Sequence, residues 1–307
     1  MSLNVIIINW NNTAETLSCL ESFRSWERLP ENIWVVDNAS SDRGTIMISE
    51  RYPSVRVIGS PVNRGFAGGN NLAIRRILEE GEAGPILLVN NDALLKEKDA
   101  ALLMEALESD PHLGLIGPVI KNQKDQSVIW IGGGRDISKY LDSHIYLPDG
   151  PKGLSVEEPI HPVDYLPGTV ALIRRRLFSE IGLFDEDYFF GGEMADFCER
   201  ARKAGYHSAV HYQAASSHRL DRSAAIRETL HIYYILRNRF LFVRKFRQGQ
   251  RGRLIAFWSG AGLLLASAAL LKGQTRRSRA IGLALRDALT GRYGNQNRRI
   301  LPGSGLS

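Results

Sequence analysis

Short apolar, β-branched runs alternate with stretches of helical spacing through the first third of the chain. Val5 to Ile8, Ile33 to Val36, Val55 to Ile58 and Ile86 to Val89 predict strands. Between them Thr13 to Ser25, Thr45 to Arg51 and Ala67 to Glu80 predict helices, with Thr13 and Ser41 or Asp42 as candidate caps. Such alternation marks βαβ units, so the fold class is α/β, with a mainly parallel open sheet flanked by helices. Polar residues follow the strands directly: Asn9, Asn11 and Asn12 after the first, Asp37 and Asn38 after the second, Asn90 to Asp92 after the fourth. Ligands of open α/β sheets lie beyond the carboxyl ends of the strands, where these residues fall.

A helix is expected at Lys96 to Ser109. The middle, to about 175, then reads as an antiparallel elaboration of the sheet, with glycines at 132–134 and turn formers at Pro148, Asp149, Gly150 and Pro151. Helical patterning begins at Met194 to Ala204 and resumes from Ala224 to the C-terminus. The simplest division is a single α/β domain over 1–220 with a basic helical appendage over 221–307. No repeat or low-complexity linker appears. One long apolar stretch, Leu254 to Leu271, is flanked by Arg251, Arg253, Lys272, Arg276, Arg277 and Arg279. As a helix it would reach roughly 27 Å, marginal for a bilayer core. Gly260, Gly262 and two serines weaken a spanning reading.

The 307 residues, 44% hydrophobic and 23% charged, exclude disordered, collagen-like and disulfide-scaffold classes. The net charge of +6 hides an asymmetry: residues 201–307 carry 20 Lys and Arg against 3 Asp and Glu. An acidic front suits a cation or a sugar, and a basic rear suits an anionic surface. No nucleic-acid-binding module accompanies that charge, so nucleic acid is not an expected partner. Cys19 and Cys198 are too few for a disulfide framework and fit a reducing cytosol. Met1 to Trp10 lacks a basic leader and a cleavage site, so it is expected to be mature structure.

Several segments carry candidate chemistry. Asp37 to Asp42 would offer a carboxylate to a ribose or base, or would simply make an Asx turn and a helix cap. Asn63 to Asn71 is glycine-rich and opens a helix, so its N–H groups and Arg64 could face a phosphate. It matches neither G-x-G-x-x-G nor a P-loop, and it could equally be a tight turn packed on the sheet. Asp92 follows a very apolar strand, where a carboxylate needs a partner or a metal. Phe184 to Arg200 concentrates six carboxylates among aromatics and glycines. Glu193 and Asp196 would share a helix face there, which raises one pKa as a general base requires, or they would serve as first-turn acids. His211, followed by Ser216, Ser217 and His218, is a possible metal ligand.

In this order the segments resemble the family 2 glycosyltransferases, within them the rhamnosyltransferase-like group of bacterial surface-polysaccharide synthesis. The resemblance spans about residues 3–250. It rests on Ile7-Ile8-Asn9-Trp10-Asn11, Val36-Asp37-Asn38-Ala39-Ser40, Asn63 to Asn71, Asn90-Asn91-Asp92, Pro167-Gly168-Thr169, Phe184 to Arg200, His211 with Ser216 and Ser217, and Arg237-Asn238-Arg239. The resemblance implies a GT-A fold, a nucleotide-diphospho-sugar donor with dTDP-rhamnose favoured, a divalent metal (Mg²⁺ or Mn²⁺) and inversion at the anomeric carbon. It implies donor contacts from Asn9, Asp37, Asn38, Arg64, Gly68, Asn70 and Asn91, with Asp92 and His211 on the metal. The base would come from Glu193 or Asp196. The acceptor would be a glycan or a polyprenyl-diphosphate-linked glycan; the latter would explain both the basic rear and residues 254–271, which with their basic flanks fit a helix lying in or against an anionic membrane face, at the inner side of the plasma membrane for a cytoplasmic enzyme. Two positions depart from the family: its usual Glu-Asp pair is Glu193-Met194 here, and Asp92 has no second carboxylate beside it. Glu193 is the expected base, Asp196 being placed to hold the helix start. A non-catalytic nucleotide-sugar-binding protein and a nucleotidyltransferase stay open as other readings.

Overall fold

The computed structural model describes residues 3–28, 30–42, 44–130, 132–140, 143–145, 159–219 and 225–302. In chain order the elements are β1 (Asn4–Asn9), α1 (Thr13–Arg24), β2 (Asn32–Asn38), α2 (Gly44–Arg51), β3 (Arg56–Ser60), α3 (Gly65–Glu79), β4 (Ile86–Asn90), β5 (Ala93–Leu95), α4 (Glu97–Ser109), β6 (Leu113–Asn122) and β7 (Val128–Trp130). They continue with β8 (Ile160–Val163), β9 (Val170–Ile173), α5 (Arg176–Glu180), a 3₁₀ turn at Glu186–Tyr188, α6 (Glu193–Lys203), β10 (His207–His218), α7 (Ala225–Phe246), a 3₁₀ turn at Gln248–Gln250, α8 (Arg251–Leu271), α9 (Thr275–Thr290) and α10 (Asn297–Ile300). The expected turn at Pro148 to Pro151 lies outside the described residues.

Among these residues the strands form one sheet in the order β3-β2-β1-β4-β9-β6-β10-β5, with β7 on β6 and β8 on β10. The β3, β2, β1 and β4 ladders are parallel, as the alternating pattern requires. From β9 onward the sheet is mixed: β9 runs antiparallel to β4 and β6, while β10 is parallel to β6. Strand alternation divides the core. Ile6, Val36 and Leu88 face α3, α5 and α6 on one side, and Val5, Ile7, Val35 and Val89 face α1, α2 and α4 on the other.

The C-terminal helices form a third core around Tyr233, Tyr234, Trp258, Ile281 and Leu285. They are not a detached appendage. Phe242 of α7 belongs to the sheet's core, and Lys245 and Arg247 pair with acids of the first region. Composition changes near residue 220, but packing runs across that point.

Candidate active site

The loops after β1 and β2 are built on buried amides. Asn9 is fully buried; its Nδ2 lies 3.2 Å from Thr13 Oγ1 and from Ser40 Oγ and 3.4 Å from Asp37 Oδ1, while its Oδ1 accepts from Thr16 Oγ1 at 2.8 Å. Asp37 also accepts from the Ser40 N–H at 3.2 Å and from the Thr45 hydroxyl. Both loops contain a non-glycine residue in the left-handed region, Asn11 at φ 51° and Ala39 at φ 64°. Such backbone costs about 1–3 kcal/mol per residue and persists where surrounding contacts over-determine it. Here Asn11 N donates to Ser40 Oγ at 2.8 Å, and Ser41 N donates to Asn11 Oδ1 at 2.7 Å. Asp42 serves two helices at once: it accepts from Thr13 N of α1 at 3.1 Å and from Gly44 N of α2 at 3.2 Å, satisfying first-turn donors of both.

Asn38 fastens β2 to the next loop. It donates to Asn63 Oδ1 at 3.1 Å and to the Gly65 carbonyl at 3.0 Å, and it accepts from Arg64 N at 2.8 Å. The glycine-rich segment opens α3 two residues earlier than its apolar pattern predicts, because Gly65 turns the chain at φ 67°. A Cβ there would sit 2.1 Å from the Phe189 carbonyl oxygen. Gly68 packs on Arg64 Cβ and Glu186, and Asn70 donates to the Phe66 carbonyl at 2.9 Å. Asn71 donates to the Phe184 carbonyl at 2.9 Å and accepts from Phe184 N at 3.1 Å. Most of this segment therefore docks α3 onto residues 184–189. Arg64 is the exception, its half-exposed guanidinium 4.0 Å from Glu186.

Asn91 donates to Thr16 Oγ1 at 3.1 Å, so Asp37, Asn9, Thr16 and Asn91 form one hydrogen-bonded chain across the ends of β2, β1 and β4. Asp92 stands beside it, and its partner is His218, with Nε2 and Oδ1 3.0 Å apart and both side chains largely buried. His211 is elsewhere. The expected short run at 208–210 is in fact the start of twelve-residue β10, whose His218 end pairs with β5, next to Asp92. His211 sits seven residues away, opposite Pro118 and Ile160, where burial holds its imidazole below the usual range against a smaller opposing pull from Glu105 and Asp99. At about 3.3 Å per strand residue that separation precludes a shared ion with Asp92. A carboxylate and an imidazole at a strand end suit Mn²⁺ or Mg²⁺, with other positions left for phosphate oxygens and water. Among the described residues no third acid, cysteine or histidine completes a protein cage.

The two acids proposed as base part company. Asp196 is fully buried and accepts from Arg200 Nε at 2.7 Å and from Lys245 Nζ, so it holds the start of α6 to α7. Glu193, the first residue of α6, is buried with Oε2 lacking any partner. Burial pushes its carboxyl up to about 7, and Asp196 adds to the rise, while the N–H groups of Glu193 itself and of Gly191 oppose it. Met194 lies in the sheet's core.

The loop before Glu193 is held from α7. Asn238 Nδ2 donates to the Tyr188 and Phe190 carbonyls, both at 2.9 Å, and to that of Gly191. Arg237, with no exposed surface, donates to the Asp187 carbonyl at 3.0 Å, the Tyr188 carbonyl at 2.9 Å and the Gly294 carbonyl at 2.6 Å, among the rings of Tyr233, Tyr234 and Tyr293. Gly192 sits at φ 103°, a conformation glycine allows. The same loop reaches the strand ends by contact: Phe66 N donates to the Phe189 carbonyl at 2.8 Å, the Phe66 ring covers Gly168, and Asn90 N donates to the Thr169 carbonyl at 2.8 Å. Two contributors escaped sequence reasoning. His218 was visible only as a neighbour of His211, and Lys245 carries no local signal because its partners lie 49 and 60 residues away.

The model of glycosyl transferase family 2 matches residues 4–182. The chain is 26% identical over 274 residues to an N-acetylglucosaminyl-diphospho-decaprenol L-rhamnosyltransferase of Mycobacterium tuberculosis, covering 83% of this chain and 88% of the relative. Among solved structures it is similar to a mannosyltransferase of Pyrobaculum calidifontis in complex with GDP-mannose and Mn²⁺, at TM-score 0.58 and 16% identity, over 94% of this chain and 86% of that one. It is also similar to GalNAc-T7 with UDP, GalNAc and Mn²⁺, at TM-score 0.60 and 17% identity, covering 80% of this chain and 48% of that one. The sheet and its flanking helices are those of the GT-A glycosyltransferases, and the chain belongs to glycosyl transferase family 2 as a sugar-transferring enzyme.

Proposed function

We propose that the chain transfers rhamnose, with inversion, from dTDP-rhamnose to a polyprenyl-diphosphate-linked glycan at the inner face of the plasma membrane. The sugar and the acceptor are supported by the mycobacterial relative's name. The observation that carries the chemistry is the contrast between Glu193, buried with an unpartnered carboxylate oxygen, and Asp196, held by Arg200 and Lys245.

In this reading Asp37 and Arg64 meet the nucleoside, Asn91 lies by the ribose and diphosphate, and Asn9, Asn38, Gly68 and Asn70 shape the floor from behind. Asp92 and His218 would hold a divalent cation, which would supply positive charge against the departing diphosphate. Glu193 takes the proton of the acceptor hydroxyl; that oxygen bonds to the anomeric carbon as the bond to the diphosphate oxygen breaks, and the nucleoside diphosphate leaves with the electron pair. A carboxyl near 7 suits this work, being basic enough to accept the proton and largely ionised just above neutrality.

The test is a thermal-shift or titration panel of dTDP-, UDP- and GDP-sugars with and without Mn²⁺ or Mg²⁺. dTDP-rhamnose is expected to stabilise most, with chelation removing most of the effect. Stabilisation by nicotinamide dinucleotides in place of sugar nucleotides would overturn the donor assignment.

A further inference from the structure

Helix α8 is apolar on every side, yet it has two different environments. Its inner side is fixed to the protein: Trp258 is buried, donates from Nε1 to the Ser138 carbonyl at 2.8 Å and lies 4.1 Å from the Arg239 guanidinium. Gly262 meets Leu285 of α9 so closely that a Cβ would fall 2.7 Å from a leucine methyl, and Ala269 is buried on the same side. The outer side is bare. Phe257 is 61% exposed, Leu263 62%, Leu264 74% and Leu271 90%. With Ala256, Gly260, Ser267 and Ala268 these positions recur at three- and four-residue spacing, so they form one continuous stripe along the helix.

Soluble proteins seldom leave such a stripe uncovered. Its surroundings select the cover. Exposed Arg251 and Arg253 stand at one end, and Lys272 and Arg276 at the other, within a C-terminal region of 20 basic and 3 acidic residues. A second copy would bring like charges together, whereas an anionic lipid surface offers apolar chains to the stripe and phosphates to its ends. Although α8 with the preceding turn is long and apolar enough to cross a membrane, crossing would strip Trp258, Gly262 and Ala269 from their partners.

We infer that α8 lies flat in the headgroup boundary of an anionic bilayer, its outer stripe immersed and its basic ends on lipid phosphates. The basic Lys272 to Arg277 end lies beside the start of α7, where Arg277 pairs with Glu228 at 2.7 Å. The inference deepens the lipid-linked acceptor proposed above, since it sets the enzyme on the surface that holds such an acceptor. Its test needs no sugar at all.

The full chain is floated with vesicles of phosphatidylglycerol and phosphatidylcholine and with vesicles of phosphatidylcholine alone. Leu263→Asp/Leu264→Asp alters only exposed positions, and unchanged thermal stability checks that the variant folds. Expected is binding to the anionic vesicles that falls with salt, release by alkaline carbonate, and a loss of about tenfold or more in the double variant. Equal binding by the variant, or no binding by the native chain, would overturn the proposal. Resistance to carbonate would indicate a span, and a dimer broken by the variant in the absence of vesicle binding would indicate a second copy; either outcome also overturns it. Transfer to a short-chain, water-soluble acceptor reports separately on the proposed reaction, so failure of the one is distinguishable from failure of the other.

Discussion

Replacing Glu193 with Gln keeps the shape and removes the ionisable group. The native carboxyl rises from 4.5 to about 7 on folding, chiefly through burial. Between those values the folded chain holds a proton that the unfolded chain has released, so native stability falls as pH rises from about 4.5 to about 7. The cost is fully present above 7. A shift of this size corresponds to roughly 3 kcal/mol. Glu193→Gln carries no such cost, so urea unfolding at pH 8 should find it more stable than the native chain by up to about 3 kcal/mol, a gain that vanishes near pH 4.5. Transfer should fall about 10²- to 10⁴-fold while donor binding survives, the loss expected for a missing general base. The native kcat/KM should rise with pH through about 7 as one proton leaves. A variant that transfers normally, or a stability difference that does not depend on pH, would refute the reasoning.

Asn238→Ala removes donors to three carbonyls of the loop before Glu193 and should cost about 1–3 kcal/mol, with kcat falling more than donor affinity; urea unfolding and steady-state kinetics check this. His218→Ala should raise the Mn²⁺ concentration for half-maximal activity by about tenfold or more, whereas His211→Ala should leave it unchanged, as metal titrations will read. Gly65→Ala drives a methyl into the Phe189 carbonyl and should destabilise by about 2 kcal/mol or more in the same unfolding assay.

The parallel half of the sheet was legible because hydrophobic runs and their following polar residues are local signals. Asn9, Asp37 and Asn91 fall at adjacent strand ends for that reason, and one hydrogen-bonded chain joins them. What the pattern could not show is which polar groups face inward. Asn38 and Asn70 make buried bonds to nearby backbone, a matter of rotamer and not of spacing. His211 follows the short run Ser208 to Val210 in the sequence, whereas β10 continues to His218, and that length carries the two histidines to different surroundings. The helical region looked like an appendage for a similar reason. The bonds from Arg237 and Asn238 to residues 187–191 span about 50 positions of sequence, beyond the reach of any periodicity.

In the proposed reaction Glu193 is a base and the acceptor displaces the diphosphate directly, which the one-bond carbon–proton coupling at the anomeric centre of the transferred sugar tests, because the proton–proton coupling of a rhamnoside is small in both configurations. A linkage opposite in configuration to that of the donor is predicted. A product that retains the donor's configuration would contradict the account.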